Sequence, residues 1–315
     1  MNLPKVTVVV LNYNGFDDTA NCVSSLLESD YQNLSVVIVD NASPDRSGQK
    51  LQERFPEIPV ILSEFNGGYA GGMNLGAKLA VKNGADYVVY SNNDLVFDKT
   101  AISKMTETAM SDPSIGIVSP KVLFLGHEDT IYCAGGTYNF WRGGPVSTGR
   151  GMKVTEFGHS ERDISHTEGA CMMISRKVIE EFGYMKEIYF MYCEDLAYSY
   201  EVSKKFKLRY TPRAIVYHRS GAGKNWGEQT SLYHYYFTRN RLLFFRDFNL
   251  FSRIYILIYS FLIVVLKSLT LLFVKKGSEF SFIRSLWGGL KDGALYILRF
   301  RKVKDEKPLI KAHNH

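Results

Sequence analysis

The chain has 315 residues, 45% of them hydrophobic, and a formal net charge of +6, which is ample apolar material for a core and excludes a disordered protein. From Lys275 onward there are ten Lys or Arg against four Asp or Glu, so the tail carries the whole charge excess and residues 1–274 are formally neutral. A neutral body with a basic tail beside a very apolar segment points to an anionic membrane surface and away from nucleic acid.

The four cysteines, Cys22, Cys133, Cys171 and Cys193, are scattered. No signal-like segment precedes the first strand, so free thiols in a reducing cytoplasm are expected. Val6–Leu11 is β-branched and nearly continuous, as in a parallel strand buried on both faces. It stops at Asn12-Tyr13-Asn14-Gly15. Residues 17–28 place Cys22, Val23, Leu26 and Leu27 at helical spacing. A second buried strand, Leu34–Val39, ends in Asp40-Asn41-Ala42-Ser43, and Ser43 or Asp45 is placed to cap a helix through Phe55. A short strand, Val60–Leu62, leads into a glycine-rich stretch, Asn66–Gly76, and a helix to Asn83. Its spacing fits neither the dinucleotide fingerprint after the first strand nor a phosphate loop ending in Gly-Lys-Ser/Thr. Glycines opening a helix still let backbone approach a ligand or pack closely on a sheet. Strand and helix alternate four times in about a hundred residues, which argues a parallel sheet with right-handed crossovers.

The next strand, Asp86–Tyr90, delivers Asn92, Asn93 and Asp94 together at its carboxyl end, where ligand sites of open α/β sheets lie. A carboxylate flanked by amides is hard and oxygen-rich, and suits Mg²⁺ or Mn²⁺ carrying a diphosphate; an Asx-type turn is the plain alternative. A helix over 100–110 and a strand over 115–118 follow. Residues 124–166 are rich in Gly, polar groups and aromatics, Trp141 among them, and read as a loop with short antiparallel strands or as a substrate lid. After Glu168-Gly169-Ala170 comes a strand to Ser175, then a helix over 176–182. Glu194 and Asp195 then open a helix reaching about Lys205, a position the helix dipole favours by itself. A last strand, Leu208–Tyr217, places His218 at its end, where an imidazole becomes a ligand candidate only if Asp94 holds a metal.

Taken in order, Val10–Gly15, Val39–Ser43, Asn66–Gly76, Asn92-Asn93-Asp94, Gly169-Ala170, Glu194-Asp195 and His218 resemble family 2 glycosyltransferases, in particular the bacterial rhamnosyltransferase-like branch. The resemblance covers about residues 5–245. It implies the GT-A fold: an α/β nucleotide-diphospho-sugar transferase architecture with a mostly parallel sheet. The expected division is a nucleotide-binding half (1–120) and an acceptor-binding half (121–250), with a membrane-association region at 251–315. Asn12 and Tyr13 would line the base pocket, Asp40 would accept the N3–H of uracil or thymine, and Asn74 would contact the nucleotide. Asn92 stands where the family's ribose-binding carboxylate usually is, Asp94 at the metal ligand, and Asp195 at the general base. The amide at Asn92 departs from the family pattern. No Gln-x-x-Arg-Trp element follows Asp195, which argues for one sugar per encounter. The expected activity is inverting transfer of a sugar, rhamnose among the candidates, from a dTDP- or UDP-linked donor to a lipid-linked or polysaccharide acceptor at the cytoplasmic face of a bacterial membrane, in surface-glycan synthesis. One carboxylate per face is enough, with Glu194 orienting an acceptor hydroxyl or pairing with a basic residue. A sugar-nucleotide nucleotidyltransferase and a catalytically silent nucleotide-binding scaffold are the alternatives.

Residues 254–274 are apolar over a length that permits a membrane span, broken mainly by Lys267 and a few hydroxyls. Residues 280–300 follow with a basic amphipathic pattern, so a monotopic anchor is favoured over a true span. Just upstream, Arg239 and Arg241 are placed to hold the diphosphate of a polyprenyl-linked acceptor, and Trp141 to line the acceptor side; snorkelling arginines are the alternative.

Overall fold

A computed structural model describes residues 3–219, 230–273 and 279–298. Lys275, Lys276 and residues 299–315 of the basic tail lie outside the described residues. In chain order the first half runs β1 (Val6–Asn12), α1 (Phe16–Leu27), β2 (Leu34–Asp40), α2 (Ser47–Arg54), β3 (Val60–Leu62), α3 (Gly68–Lys82), β4 (Tyr87–Asn92), β5 (Leu95–Phe97), α4 (Ala101–Met110) and β6 (Ile115–Phe124). Then follow β7 (His127–Cys133), β8 (Gly136–Asn139), β9 (Gly144–Ser147), β10 (Arg162–Ile164), β11 (Cys171–Ser175), α5 (Arg176–Phe182), a 3₁₀ turn at Glu187–Tyr189, α6 (Glu194–Val202) and β12 (Lys207–His218). The C-terminal part is helical: α7 (Ser231–Phe244), α8 (Leu250–Phe273) and α9 (Glu279–Leu298).

The main sheet runs β10-β12-β6-β11-β4-β1-β2-β3, with β5 against β12 and β7 against β6. The run β4-β1-β2-β3 is parallel throughout, as its buried β-branched strands demand. β11 enters antiparallel between β4 and β6, and β6 pairs parallel with β12. The sheet is therefore mixed beyond β4. One apolar core packs under α1 and α4, with Val8, Val10, Leu26, Ile102 and Met105 fully or almost fully buried. The other lies under α3, α5 and α6, around Val9, Met73, Val88, Tyr90 and Val202. Two of the glycines in α3 serve this packing. A Cβ at Gly72 would collide with Leu11 and one at Gly76 with Val9, so the helix sits directly on β1.

The stretch 124–166 forms β7, β10 and the separate β8–β9 hairpin. The helices α7, α8 and α9 share a third core with the loop before α6. Ile188, Tyr189, Cys193 and Leu196 pack with Leu242, Phe245, Ile256, Val264, Leu286 and Ile297. α8 is long and apolar enough to cross a membrane by length and composition. Its polarity is nevertheless inside out. Ser252, Ser260 and Ser268 are buried against the protein, while Ile258, Phe261, Leu262, Leu266, Leu269 and Phe273 are exposed. With Trp287 and Leu290 of α9, part of that face forms a groove of about 570 Å³.

Candidate functional site

The carboxyl ends of β1, β2 and β4 lie side by side, with Asn12 paired to Asp40 and Leu11 to Asn92. The chain leaves β1 in one direction and returns on its other side at β4, the switch point where open sheets bind ligands. Asn12 is fully buried and donates from Nδ2 to Asp40 Oδ1 at 2.6 Å and Ser47 Oγ at 2.7 Å. Asp40 also accepts from Ser43 Oγ at 2.6 Å and Ser43 N at 3.1 Å. Tyr13 is exposed at the rim. Asn41, to which the sequence assigned no role of its own, ties this edge to the glycine-rich loop: its Nδ2 donates to Asn66 Oδ1 and Gly68 O, and its Oδ1 accepts from Gly67 N. Asp45 Oδ1 accepts from Ser47 N at 2.9 Å in an Asx-type turn, but neither Asp45 nor Ser43 is the N-cap of α2: that position is Arg46, in the left-handed region and with no side-chain cap bond. Non-glycine residues with positive φ, Asn14, Ala42 and Arg46, gather at this edge, where such strain is commonly stored.

At the tip of β4, Asp94 Oδ1 lies 3.0 Å from His218 Nε2, because β5 pairs with the end of β12 and sets Leu95 opposite His218. Two positions 124 residues apart in sequence thus meet. His218 is buried, with its ring 4.3 Å edge-on to Tyr132. Burial pushes the Asp94 carboxyl up, but the His218 hydrogen bond and charge outweigh it and hold Asp94 below its ordinary value. Among the described residues no group of three His, Cys, Asp or Glu is arranged to hold a metal ion. One carboxylate and one imidazole are a donor set for an ion that keeps other oxygen ligands, as Mg²⁺ and Mn²⁺ do. The Asn92 side chain makes no hydrogen bond among the described residues, while its backbone N–H donates to Ala170 O at 2.9 Å.

Glu194 and Asp195 have opposite environments. Glu194 is 6% exposed and its Oε2 has no hydrogen-bond partner among the described residues; burial first, then the neighbouring Asp195 charge, raise its pKa well above its ordinary value. Asp195 Oδ2 accepts from Gly169 N at 2.8 Å and Oδ1 from Leu196 N at 2.7 Å. Two carboxylates side by side do not both ionise readily, and the proton belongs on the buried, unpartnered one. Gly169 immediately precedes Ala170, whose carbonyl receives Asn92 N–H, so two links join Asp195 to the Asp94 loop. His166, 1% exposed, lies 4.0 Å from Asp195 through Nε2. A lone His in an irregular stretch gave no signal in the sequence.

The loop feeding α6 is strained, with Phe190, Tyr192 and Cys193 at φ of 64°, 65° and 64°. Such conformations cost roughly 1–3 kcal/mol each and persist only under outside restraint. α7 supplies it. Asn240 Nδ2 donates to the carbonyls of Tyr189, Met191 and Tyr192 at 2.7–2.8 Å. Arg239 donates to those of Ile188 and Tyr189 at 2.5 and 3.1 Å.

This corrects the expectation for Arg239. It is 2% exposed and spent on loop carbonyls, since a left-handed loop turns several carbonyls toward α7. Asn74 also departs from its expected place: it is 2% exposed, and its Nδ2 bonds Met185 O and Glu187 Oε1, tying α3 to the 3₁₀ turn. Arg241, two residues beyond Arg239, stays half-buried between the rings of Phe237 and Tyr259. Trp141 is exposed and packs edge-on against Tyr255 of α8.

The chain belongs to glycosyl transferase family 2, whose model matches residues 7–183, more than half its length. Among curated proteins it is 26% identical over 213 residues to the low-salt glycan biosynthesis hexosyltransferase Agl10 of Haloferax volcanii, covering 64% of this chain and 63% of that protein. It is also 26% identical over 233 residues to the N-acetylglucosaminyl-diphospho-decaprenol L-rhamnosyltransferase of Mycobacterium tuberculosis, covering 67% of this chain and 75% of that one. Among solved structures it resembles GalNAc-T7, crystallised with UDP, GalNAc and Mn²⁺, at a TM-score of 0.61 and 17% identity over 78% of this chain and 48% of that one. That likeness shows the GT-A fold.

Proposed function

We propose that this family 2 glycosyltransferase moves one sugar, with inversion, from a nucleoside-diphosphate donor to a lipid-linked acceptor at a membrane surface, as a step in surface-glycan synthesis. The observation that carries the reading is the division of labour between the two carboxylates. Asp195 is oriented by two backbone N–H groups, Gly169 N on the segment entering β11 beside the Asp94 loop and Leu196 N in the first turn of α6, while burial and the neighbouring Asp195 charge favour the protonated form of Glu194. An inverting attack needs one positioned base on the face opposite the leaving diphosphate, and Asp195 fits it. Its carboxylate takes the proton of the attacking hydroxyl. Glu194, neutral, adds no competing charge beside it.

Asn12, Tyr13 and Asp40 line the end of β1 and β2 where the base of the donor is placed, and Asn92 stands toward the ribose. Asp94 and His218 would hold Mg²⁺ or Mn²⁺, which when bound supplies Lewis-acid neutralisation of the diphosphate. GalNAc-T7 binds UDP and Mn²⁺, and the mycobacterial relative is named for a diphospho-decaprenol acceptor; both support a donor of the UDP or dTDP type and a lipid-linked acceptor here. The exposed apolar face of α8 and α9 supports attachment to a membrane without a span, with the catalytic body on the cytoplasmic side. The loop Leu11–Gly15 has no Arg or Lys to receive a triphosphate, which favours sugar transfer over nucleotidyl transfer. Screening nucleotide sugars for released nucleoside diphosphate, with membrane extract as acceptor, tests the reading. Release that needs both extract and divalent cation is expected; release from no donor, or synthesis of a sugar nucleotide from triphosphate and sugar phosphate, overturns it.

A further inference from the structure

α7 and α8 carry three basic side chains that no acid among the described residues answers. Arg241 places its guanidinium 5.1 Å from the ring centroid of Phe237 and 5.6 Å from that of Tyr259, and its buried Nε has no hydrogen-bond partner. Lys267, two helical turns beyond the buried Ser260, lies in the field of that guanidinium. His234 stands two turns before Arg241 on α7; it is 6% exposed and its Nδ1 is unpartnered. Burial, and then the Lys267 charge, push its pKa down to about 4, so the ring is neutral at physiological pH. Among the described residues none of the three is within salt-bridge reach of a carboxylate. Half-buried cations without a counter-charge cost free energy that an anionic ligand recovers.

The position of the cluster narrows the ligand. α8 exposes Leu262, Leu266 and Leu269, whereas Lys267 is half-buried within the field of the Arg241 charge, so these cations are not fully displayed on the face that would meet lipid head groups. The Arg241 charge also reaches Cys193, the residue before the carboxylate pair. The geometry points to a diphosphate-binding site formed by Arg241, Lys267 and His234 that takes the diphosphate of an isoprenoid-linked sugar acceptor. The inference rests on the reading of a lipid-linked acceptor and gives it an address. The isoprenoid chain leaves along the apolar face of α8 into the bilayer, the diphosphate sits at the α7–α8 junction, and the sugar extends toward Asp195. Charge-assisted hydrogen bonds from two cations are the strongest contacts available there.

Full-length protein in detergent micelles is titrated with geranylgeranyl diphosphate, with UDP or dTDP plus Mn²⁺, and separately with phosphatidylglycerol vesicles. Arg241→Gln and Lys267→Met are each expected to weaken geranylgeranyl diphosphate binding at least tenfold, with nucleotide affinity and vesicle binding unchanged. Nucleotide binding reports the fold; should Arg241→Gln lose it, Lys267→Met, at a half-buried helix position, decides. Undiminished geranylgeranyl diphosphate affinity in the folded variants overturns the site while leaving the lipid-linked acceptor standing. Vesicle binding lost in step with the diphosphate assigns the cations to phospholipid head groups and overturns it as well. A wild type that binds nucleotide but no geranylgeranyl diphosphate removes the lipid-linked acceptor itself.

Discussion

Replacing Asp195 by Asn separates the two carboxylates most cleanly. The amide keeps the side chain's size, and its oxygen can still accept from Gly169 N, now at 2.8 Å. The bond from Leu196 N at 2.7 Å is the one at risk, a loss of about 0.5–1.5 kcal/mol of stability. The fold and donor binding should therefore survive. Loss of a positioned base costs roughly 10²–10⁴-fold in rate, about 2.7–5.4 kcal/mol of barrier. Glu194→Gln exchanges a neutral acid for a neutral amide at a 6% exposed position, so its rate should stay within about tenfold of wild type. Both variants are assayed at saturating donor for nucleoside diphosphate released in the presence of membrane extract, with donor affinity measured separately by calorimetry. A larger kcat loss in Glu194→Gln than in Asp195→Asn would refute the assignment, and near-normal rates in both would refute general-base catalysis at this pair.

Glu194→Gln should also change stability with pH. A carboxyl whose folded pKa is raised binds its proton more tightly in the folded state, so wild-type stability falls as pH rises above the ordinary Glu value and levels off only above the folded one. The Gln variant should lack that slope and be the more stable at pH 7 in urea titrations; a steeper slope in the variant contradicts a protonated Glu194. Asp94→Ala should weaken nucleoside-diphosphate binding in Mn²⁺ and abolish the difference made by chelator, and a chelator effect equal to wild type removes Asp94 from the ion. Asp40→Ala should weaken donor nucleotide by roughly tenfold to 150-fold, the value of a hydrogen bond to a charged group of about 1.5–3 kcal/mol, and calorimetry showing unchanged affinity takes Asp40 out of the pocket. Asn240→Ala strands the carbonyls of Met191 and Tyr192 and removes one of the donors to that of Tyr189; a loss of about 2–4 kcal/mol is expected, with faster amide exchange confined first to 188–196, and unaltered exchange there would show that the loop holds itself. Leu262→Asp with Leu266→Asp should reduce vesicle co-sedimentation and spare nucleotide binding, since both side chains are more than half exposed; full retention on vesicles argues against α8 as the anchor.

The alternation up to Asp86 was legible because each strand there is a continuous β-branched run and each helix has one apolar stripe. The direction of β11 was not, since Cys171–Ser175 is apolar throughout and such a run reads the same in either orientation between two neighbours. Asn12, Asp40 and Asn92 end their strands, Asp94 follows β4, and His218 meets Asp94 through the pairing of β5 with β12; the roles given to them belong to the proposed function. Arg239 and Asn74 were misplaced for one reason. Both bond backbone carbonyls in the segment 185–192, whose turns are built from long-range packing and leave no local pattern. The inward serines of α8 were visible as hydroxyls breaking an apolar run, but which side faced the protein was set by packing on α7.

Gly68 sits at φ +69°, and a Cβ there would collide with the carbonyl of Phe190, which also accepts from Ala70 N at 3.3 Å. Phe190 is flanked by the carbonyls that Asn240 holds. The first turn of α3 and the α7 helix are therefore fastened to opposite sides of one short segment. Exchanging the back half of this enzyme for a relative's, to redirect which alcohol receives the sugar, would have to transplant Gly68, the 188–193 segment and Asn240 as a unit. A chimera joined anywhere between them would inherit a mismatched hinge pin, however well its two halves fold alone.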